Sequence, residues 1–331
     1  MSLIVNFFHI KSTNGLFYYG VDYISSGKDA IAKILVRRSI YNSAVKAFPN
    51  LNIVICSGMT LSIEIYLAAL RGDSIYTPTP HPMPFISNQW IVVHDAYPFT
   101  VGRLSSLKKL LLKLSLATSS CRVAYINKSE TLPFIHALGV KEDRCHFAPN
   151  KFPPLLNLPD QRVRLVGEAI SIALVGNDSL KKNYSFLFEC VLRAGAEKLF
   201  KFHVYGHKNA YLKNLCMQYP SIEIKLFESD KYSLPEFFSN VDLLVSVATQ
   251  EGFGRPIASA LLLEIPCFLL TRPVFKEFFD PGAVFFENEQ ELVEKLSQCY
   301  STSLPRFSYL PPSHVVRAFT SAVTEIFTEA L

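Results

Sequence analysis

The run Thr249-Gln250-Glu251-Gly252-Phe253-Gly254-Arg255-Pro256 directly follows the apolar stretch VDLLVSV and opens a helical pattern. Two glycines at such a place let the backbone come close to a ligand, and the first turn of a helix offers N–H groups without partners. Phosphate or sugar hydroxyls suit that chemistry, and Glu251 at a strand end can accept hydrogen bonds from vicinal hydroxyls. An ordinary tight strand-to-helix turn would read the same way. A second pair, His94 and Asp95, closes the strongly apolar run WIVV, where a side chain points beyond the strand end. A third, Asn14-Gly15, follows the first apolar run, either as a loop that lets a ligand approach or as a plain turn.

These residues need a scaffold, and the chain is long enough for two domains. It has 331 residues, of which 49% are hydrophobic and 18% charged, with 26 Phe and 15 Tyr. A charge fraction below the usual ~25% together with so many aromatics excludes disorder and calls for large cores. From residue 170 onward, short apolar runs (ISIALV, FKFHVYG, IEIKLF, VDLLVSV, PCFLL, AVFF) alternate with helical patterns. That is the pattern of a parallel sheet covered on both faces. The first half is similar but rougher, with strands expected at SLIVNFF, NIVIC, SIYT, WIVVH, RVAYI and RCHFAP, and helices over 103–117 and 128–138. The expected architecture is α/β, with two Rossmann-like domains facing across a cleft: an N-terminal domain over 1–155 and a C-terminal domain over 168–311. A terminal amphipathic helix follows over 312–331.

Seven scattered cysteines, never spaced C-x-x-C, argue against a disulfide framework or a zinc site. No stretch reaches the ~18 apolar residues of a membrane span. The N-terminal MSLIVNFFHIKSTNG reads as a first strand and not as a secretory leader, so a cytoplasmic chain is expected. Residues 1–160 hold 16 Lys and Arg against 9 Asp and Glu, a balance of +7, whereas residues 161–331 hold 17 against 19, a balance of −2. The basic half should therefore face something anionic. Nucleic acid is discounted, since no recognition motif or interleaved basic and aromatic patch is present. The stretch 103–117, RLSSLKKLLLKLSLA, is a basic amphipathic helix, suited either to an anionic membrane surface at the inner face of the membrane or to packing on its own sheet with three solvated lysines.

Taken together, VDLLVSVATQEGFGRPIASALLLEIPCFLL and FKEFFDPGAVFFE resemble the donor-site signature of the large retaining glycosyltransferase family of GT-B type, the E-x7-E or "glycosyl transferases group 1" family. LVGNDSLKKN (174–183), HVYGH (203–207), HALGVKEDRCHFAPN (136–150) and WIVVHDAYPF (90–99) are similar to further motifs of that family in the same order, so the resemblance spans roughly residues 90–290. It implies a hexosyltransferase that moves sugar from a nucleotide-diphosphate donor to a glycan or lipid-linked acceptor, with retention and without metal or other cofactor, in a pathway such as lipopolysaccharide or other polysaccharide synthesis. It further implies that Glu251 bonds the donor sugar and that the amides of Gly252, Phe253 and Gly254 meet sugar or diphosphate. Gly176 and Asn177 would sit at the donor, and Lys182 would neutralise the diphosphate of the leaving nucleotide. His94 would lie near the donor sugar and acceptor, as a hydrogen-bonding partner or a proton relay. Asn14 and Gly15 would lie on the acceptor side, and Asp95 would either help to bind the acceptor or only cap the following turn. Two positions depart from the pattern: Ser259 stands where the family has its second Glu, and Asn177 where it has a basic residue. Two other readings share the scaffold: a nucleotide-sugar epimerase or hydrolase, and a non-catalytic partner subunit with a degenerate donor site.

Overall fold

The computed structural model describes residues 2–154, 164–176, 180–305 and 308–328. The chain divides into two units, one formed by 1–151 together with 312–331 and the other by 152–311. Asn177 lies outside the described residues.

The first unit is built on seven strands: β1 (Leu3–Asn6), β2 (Ile31–Val36), β3 (Ile53–Ile55), β4 (Ser74–Thr77), β5 (Gln89–Val93), β6 (Arg122–Tyr125) and β7 (Cys145–Phe147). They pair in parallel in the order β3-β2-β1-β4-β5-β6-β7. Strand β2 was not expected from the sequence. Lys33 interrupts its apolar run, and the interruption is tolerated because Lys33 forms an ion pair with Glu64 of the helix Gly58–Leu70.

Both faces of this sheet are covered, as a parallel sheet requires. On one face lie the helices Gly58–Leu70, whose Leu61, Ile65 and Ala68 pack with Ile4 and Ile75, and Ser105–Ala117, whose Leu112 and Leu116 pack with Ile91, Val93 and Val123. Ile75 shares a face with Ile91 because Thr77, two residues on, is the partner of Ile91 in the register. On the other face, the terminal helix Ser313–Thr328 sets Phe319 against Tyr23 at 4.8 Å and Phe327 against Tyr76 at 5.8 Å, while Glu325 reaches His146 at 3.1 Å. Gly27 makes room for this helix: a Cβ there would sit 2.2 Å from the Phe327 ring.

The second unit has six parallel strands: β8 (Ile170–Val175), β9 (Phe200–Gly206), β10 (Ile224–Glu228), β11 (Leu243–Ser246), β12 (Cys267–Leu270) and β13 (Val284–Phe286). Their order is β10-β9-β8-β11-β12-β13. Chain direction across the sheet reverses between β8 and β11, so the connections leaving these two neighbours diverge and open a crevice at their carboxyl ends. Among the described residues no helix is long and apolar enough to cross a membrane.

Candidate functional site

In the second unit, the two loops with the most chemistry leave the two strands that flank this reversal. The loop after β8 ends in a short turn, Leu180–Lys182, and Asn183 then takes a left-handed conformation (φ +55°) as the chain enters the helix Tyr184–Arg193. The loop after β11 carries Glu251 and enters the helix Arg255–Leu262 through Gly254. They are tied together: the Thr249 N–H donates to the Lys181 carbonyl at 2.9 Å. The Tyr184 hydroxyl donates to the Gly176 carbonyl, and the Gly176 N–H donates to Tyr205 O at 2.9 Å, which fixes the start of the first loop.

Across this junction Lys182 Nζ lies 3.0 Å from Glu251 Oε2, with the side chains 17% and 18% exposed. Burial pushes the Glu251 carboxyl up. The Lys182 and Lys181 ammonium groups and the Arg272 guanidinium outweigh it, so the carboxyl is held below its ordinary range. Glu251 is therefore ionised and acceptor-only, with lone pairs left over after the bond to Lys182. Val175, Tyr184, Ser246, Gly254 and Ile257 line a small open pocket around the pair.

Gly254 needs to be glycine. Its φ of +91° is a conformation L side chains rarely adopt, and a Cβ would meet Ile257 Cδ1 at 2.9 Å. Phe253 turns inward, buried against Phe278 at 4.8 Å and Phe152 at 5.2 Å, so only its backbone can face a ligand. Gly252 is buried in the same turn. Ser259 is buried on the helix Arg255–Leu262 and does not line the pocket. Two contributors have no counterpart in the sequence reading. Arg272 stands just beyond β12 and adds to the positive field on Glu251, and Tyr184 lines the pocket. A cation at a strand end was the only available signal for Arg272.

In the first unit, His94 follows β5 and is buried. Its Nε2 is 3.0 Å from the Pro78 carbonyl, which can only accept, so Nε2 carries the proton and Nδ1 keeps its lone pair. The Tyr19 ring meets the imidazole edge-on at 4.5 Å. Burial pushes the His94 pKa down to about 4 despite the bond to Pro78. His94 is thus a neutral imidazole at pH 7. Asp95 Oδ1 accepts from the Tyr97 N–H at 3.1 Å and closes the following turn. Asn14 caps the helix Gly15–Ser26, its side chain accepting from Leu16 N at 3.1 Å and Phe17 N at 3.3 Å. A Cβ on Gly15 would meet no atom within 4 Å, so close packing does not account for the glycine.

Nearby, the rings of His9, beyond β1, and His81, beyond β4, stack at 4.0 Å, and burial lowers their pKa values to about 4 and about 3. The unfolded chain takes protons on these three histidines near ~6.5, whereas the fold resists them until about 4 or lower. Stability should therefore fall as pH drops from 6.5 towards 4. Urea unfolding of His94→Asn at pH 7 and 4.5 should show a shallower loss than the unsubstituted protein.

Among the described residues no group of three or more His, Cys, Asp or Glu could hold a metal ion. Glu228 of the Glu228-Ser229-Asp230 stretch is engaged by Lys231 at 2.6 Å and Lys208 at 3.4 Å.

The sequence matches no known protein-family model and no characterised protein at the level of sequence. Solved structures match over almost the whole chain. HepE of Anabaena, in complex with UDP, superposes with a TM-score of 0.70 at 14% identity, covering 99% of this chain and 98% of that one. WaaG, a glycosyltransferase involved in lipopolysaccharide biosynthesis, gives 0.65 at 11% identity over 98% and 95%. The lipopolysaccharide outer core galactosyltransferase WaaB gives 0.64 at 11% identity over 100% and 99%. The chain has the fold of these GT-B structures: two Rossmann-like domains on parallel sheets of seven and six strands.

Proposed function

We propose that the chain is a glycosyltransferase whose second unit binds a nucleotide-diphosphate sugar and whose first unit binds a glycan or lipid-linked acceptor. The observation that carries this reading is the Lys182–Glu251 pair beside the left-handed Gly254, at the carboxyl ends of β8 and β11. Lys182 offers a cation to the departing diphosphate, whose negative charge grows as the bond to the anomeric carbon breaks. Glu251, held ionised, accepts from sugar hydroxyls. The amides of Gly252, Phe253 and Gly254, at the start of the helix, donate to sugar or phosphate oxygens. Gly176, at the end of β8, borders the diphosphate. His94, neutral with Nδ1 open, accepts from a hydroxyl of sugar or acceptor rather than delivering a proton. Asn14, Gly15 and Asp95 lie on the acceptor side. Transfer proceeds with retention and needs no metal, because Lys182 and the helix amides supply the positive field.

Because HepE was solved with UDP, once also with glucose, UDP-sugars are the first to try in a donor panel. UDP-, GDP-, ADP-, dTDP- and CMP-sugars should be tested for binding by calorimetry and for slow nucleotide release. One of them is expected to bind and turn over. A folded protein that binds none refutes the reading and favours the second one, a non-catalytic partner subunit, which the buried Ser259 at the second acidic position already supports. If Ser259 meets the nucleotide, Ser259→Ala should weaken binding by no more than about tenfold, the worth of one neutral hydrogen bond.

A further inference from the structure

The sheet of the first unit has a reversal of its own. Its order runs β3-β2-β1-β4-β5, so the connections leaving β1 and β4 diverge and open a crevice at the carboxyl ends of these two neighbours. The segments that leave β1, β2 and β4 are 7–14, 37–40 and 78–88. They hold His9, Lys11, Arg37, Arg38 and His81 and not one Asp or Glu. They are also tied to one another. The Arg37 Nε–H donates to the Phe8 carbonyl at 3.2 Å, and its guanidinium lies 4.7 Å from the centre of the Phe8 ring. The Ser39 hydroxyl donates to the Lys11 carbonyl at 3.0 Å. The His9 and His81 rings stack across the reversal itself, parallel to within 1°.

Two observations say what belongs there. Among the described residues neither Lys11 nor Arg37 pairs with an acid, and both act electrostatically on His9. Like charges gathered without a counter-charge disfavour the folded chain, and a bound anion removes that cost. Independently, hydrogen-bonding capacity is left over. The His9 ring makes no hydrogen bond among the described residues, and the His81 ring makes one, Nδ1 to Thr79 Oγ1 at 3.1 Å. Asn6 and Thr77, the last residues of β1 and β4, are 0% exposed, yet Asn6 Nδ2 and Thr77 Oγ1 have no partner, which is rare for buried polar groups. They directly follow the register pair Val5 and Tyr76, so they sit side by side on one face of the sheet and make the floor of the crevice polar. A phosphate monoester matches this set: its charge of nearly −2 balances two cations, and its three oxygens take several donors at once. A carboxylate, with one charge and two oxygens, would leave a cation unmatched.

We propose that the crevice between β1 and β4 holds a phosphate monoester of the acceptor, with Lys11 and Arg37 balancing its charge and His9 and His81 bonding its oxygens. The inference rests on the glycosyltransferase reading only in assigning the phosphate to the acceptor, since the site itself is measured without donor. The test is proton–carbon NMR of the histidine rings in the full chain, titrated with inorganic phosphate at constant pH and ionic strength. The His9 and His81 signals are assigned from His9→Gln and His81→Gln.

Both signals should shift and saturate in the millimolar range, and methyl phosphate should shift the same two. Lys11→Gln and Arg37→Gln should each weaken this binding by roughly tenfold, the worth of one charge-assisted hydrogen bond. Lys182→Ala, in the second unit, should leave the response of these two signals as it is. The Lys11 side chain is exposed, so its variant stays folded even if Arg37→Gln does not. Signals of His9 and His81 that ignore phosphate overturn the proposal, as does an equal response in Lys11→Gln. Acetate acting at the same midpoint overturns the choice of phosphate, and phosphate binding without methyl phosphate binding overturns the monoester. Phosphate binding here by a protein that binds no nucleotide sugar overturns only the assignment to an acceptor, and with it the glycosyltransferase reading.

Discussion

Lys182→Ala is expected to lower donor turnover by roughly 10²–10³, the usual cost of removing one preorganised group that stabilises developing negative charge. The loss should fall mainly on kcat, because the diphosphate carries more charge in the transition state than in the bound donor. Glu251→Gln keeps the shape of the side chain and removes its charge, so it should fall mainly on donor affinity. The two effects should not add, because each residue positions the other across a 3.0 Å contact. Nucleotide release assayed for both single variants and the double variant checks this.

The same pair makes a second, pH-dependent readout. Glu251 is held below its ordinary range in the fold, so the pair stabilises the protein above about pH 4.5, and that contribution is lost as pH falls through the lowered value. In Lys182→Ala the largest opposing cation is gone and only Lys181 and Arg272 remain against burial, so ionisation of Glu251 stabilises the fold less as pH climbs. The difference in Tm between the protein and the variant should widen from pH 4 to pH 7 and correspond to about 1–3 kcal/mol at the upper end. A difference that does not change with pH would mean that Lys182 does not couple the ionisation of Glu251 to folding.

Phe253→Ala is expected to destabilise the second unit by about 3–5 kcal/mol, or roughly 6–20 °C in its thermal transition. The ring is 2% exposed and sits edge-on to Phe152 and Phe278 and within 5.8 Å of Phe279. Removing it leaves a cavity inside the turn between Gly252 and Gly254, and Gly254 lines the pocket. Donor affinity should therefore fall as well, although the side chain itself touches no ligand. Phe253→Leu fills most of the space and should cost less than about 1.5 kcal/mol, with donor affinity largely retained. Differential scanning calorimetry of both variants separates this role from direct contact. Equal affinity losses in the alanine and leucine variants would mean that the ring itself meets the donor.

The alternation of apolar runs and helical patterns was readable because parallel strands buried on both faces are short and continuous in β-branched and aromatic residues. ISIALV at 170–175 and SIYT at 74–77 form strands with those bounds. Strand β2 was not readable. Lys33 interrupts its apolar run, and its partner Glu64 lies 31 residues away. Glu251 and Gly254 could be singled out because the chemistry of a strand-to-helix turn is written in a few consecutive residues.

The sequence by itself therefore determined the two α/β sheets, the turn Glu251–Gly254 and the basic character of the first half, since local spacing, glycine conformation and net charge need no tertiary partner. Only the tertiary structure decided which groups meet. The strand order sets β8 beside β11 and brings Lys182 to Glu251 across 69 residues. Packing on the sheet chose Leu112 and Leu116 as the buried side of the helix Ser105–Ala117 and turned its other leucines outward. Helical periodicity makes a stripe visible, but which stripe faces the core is settled by the contacts of the sheet beneath it.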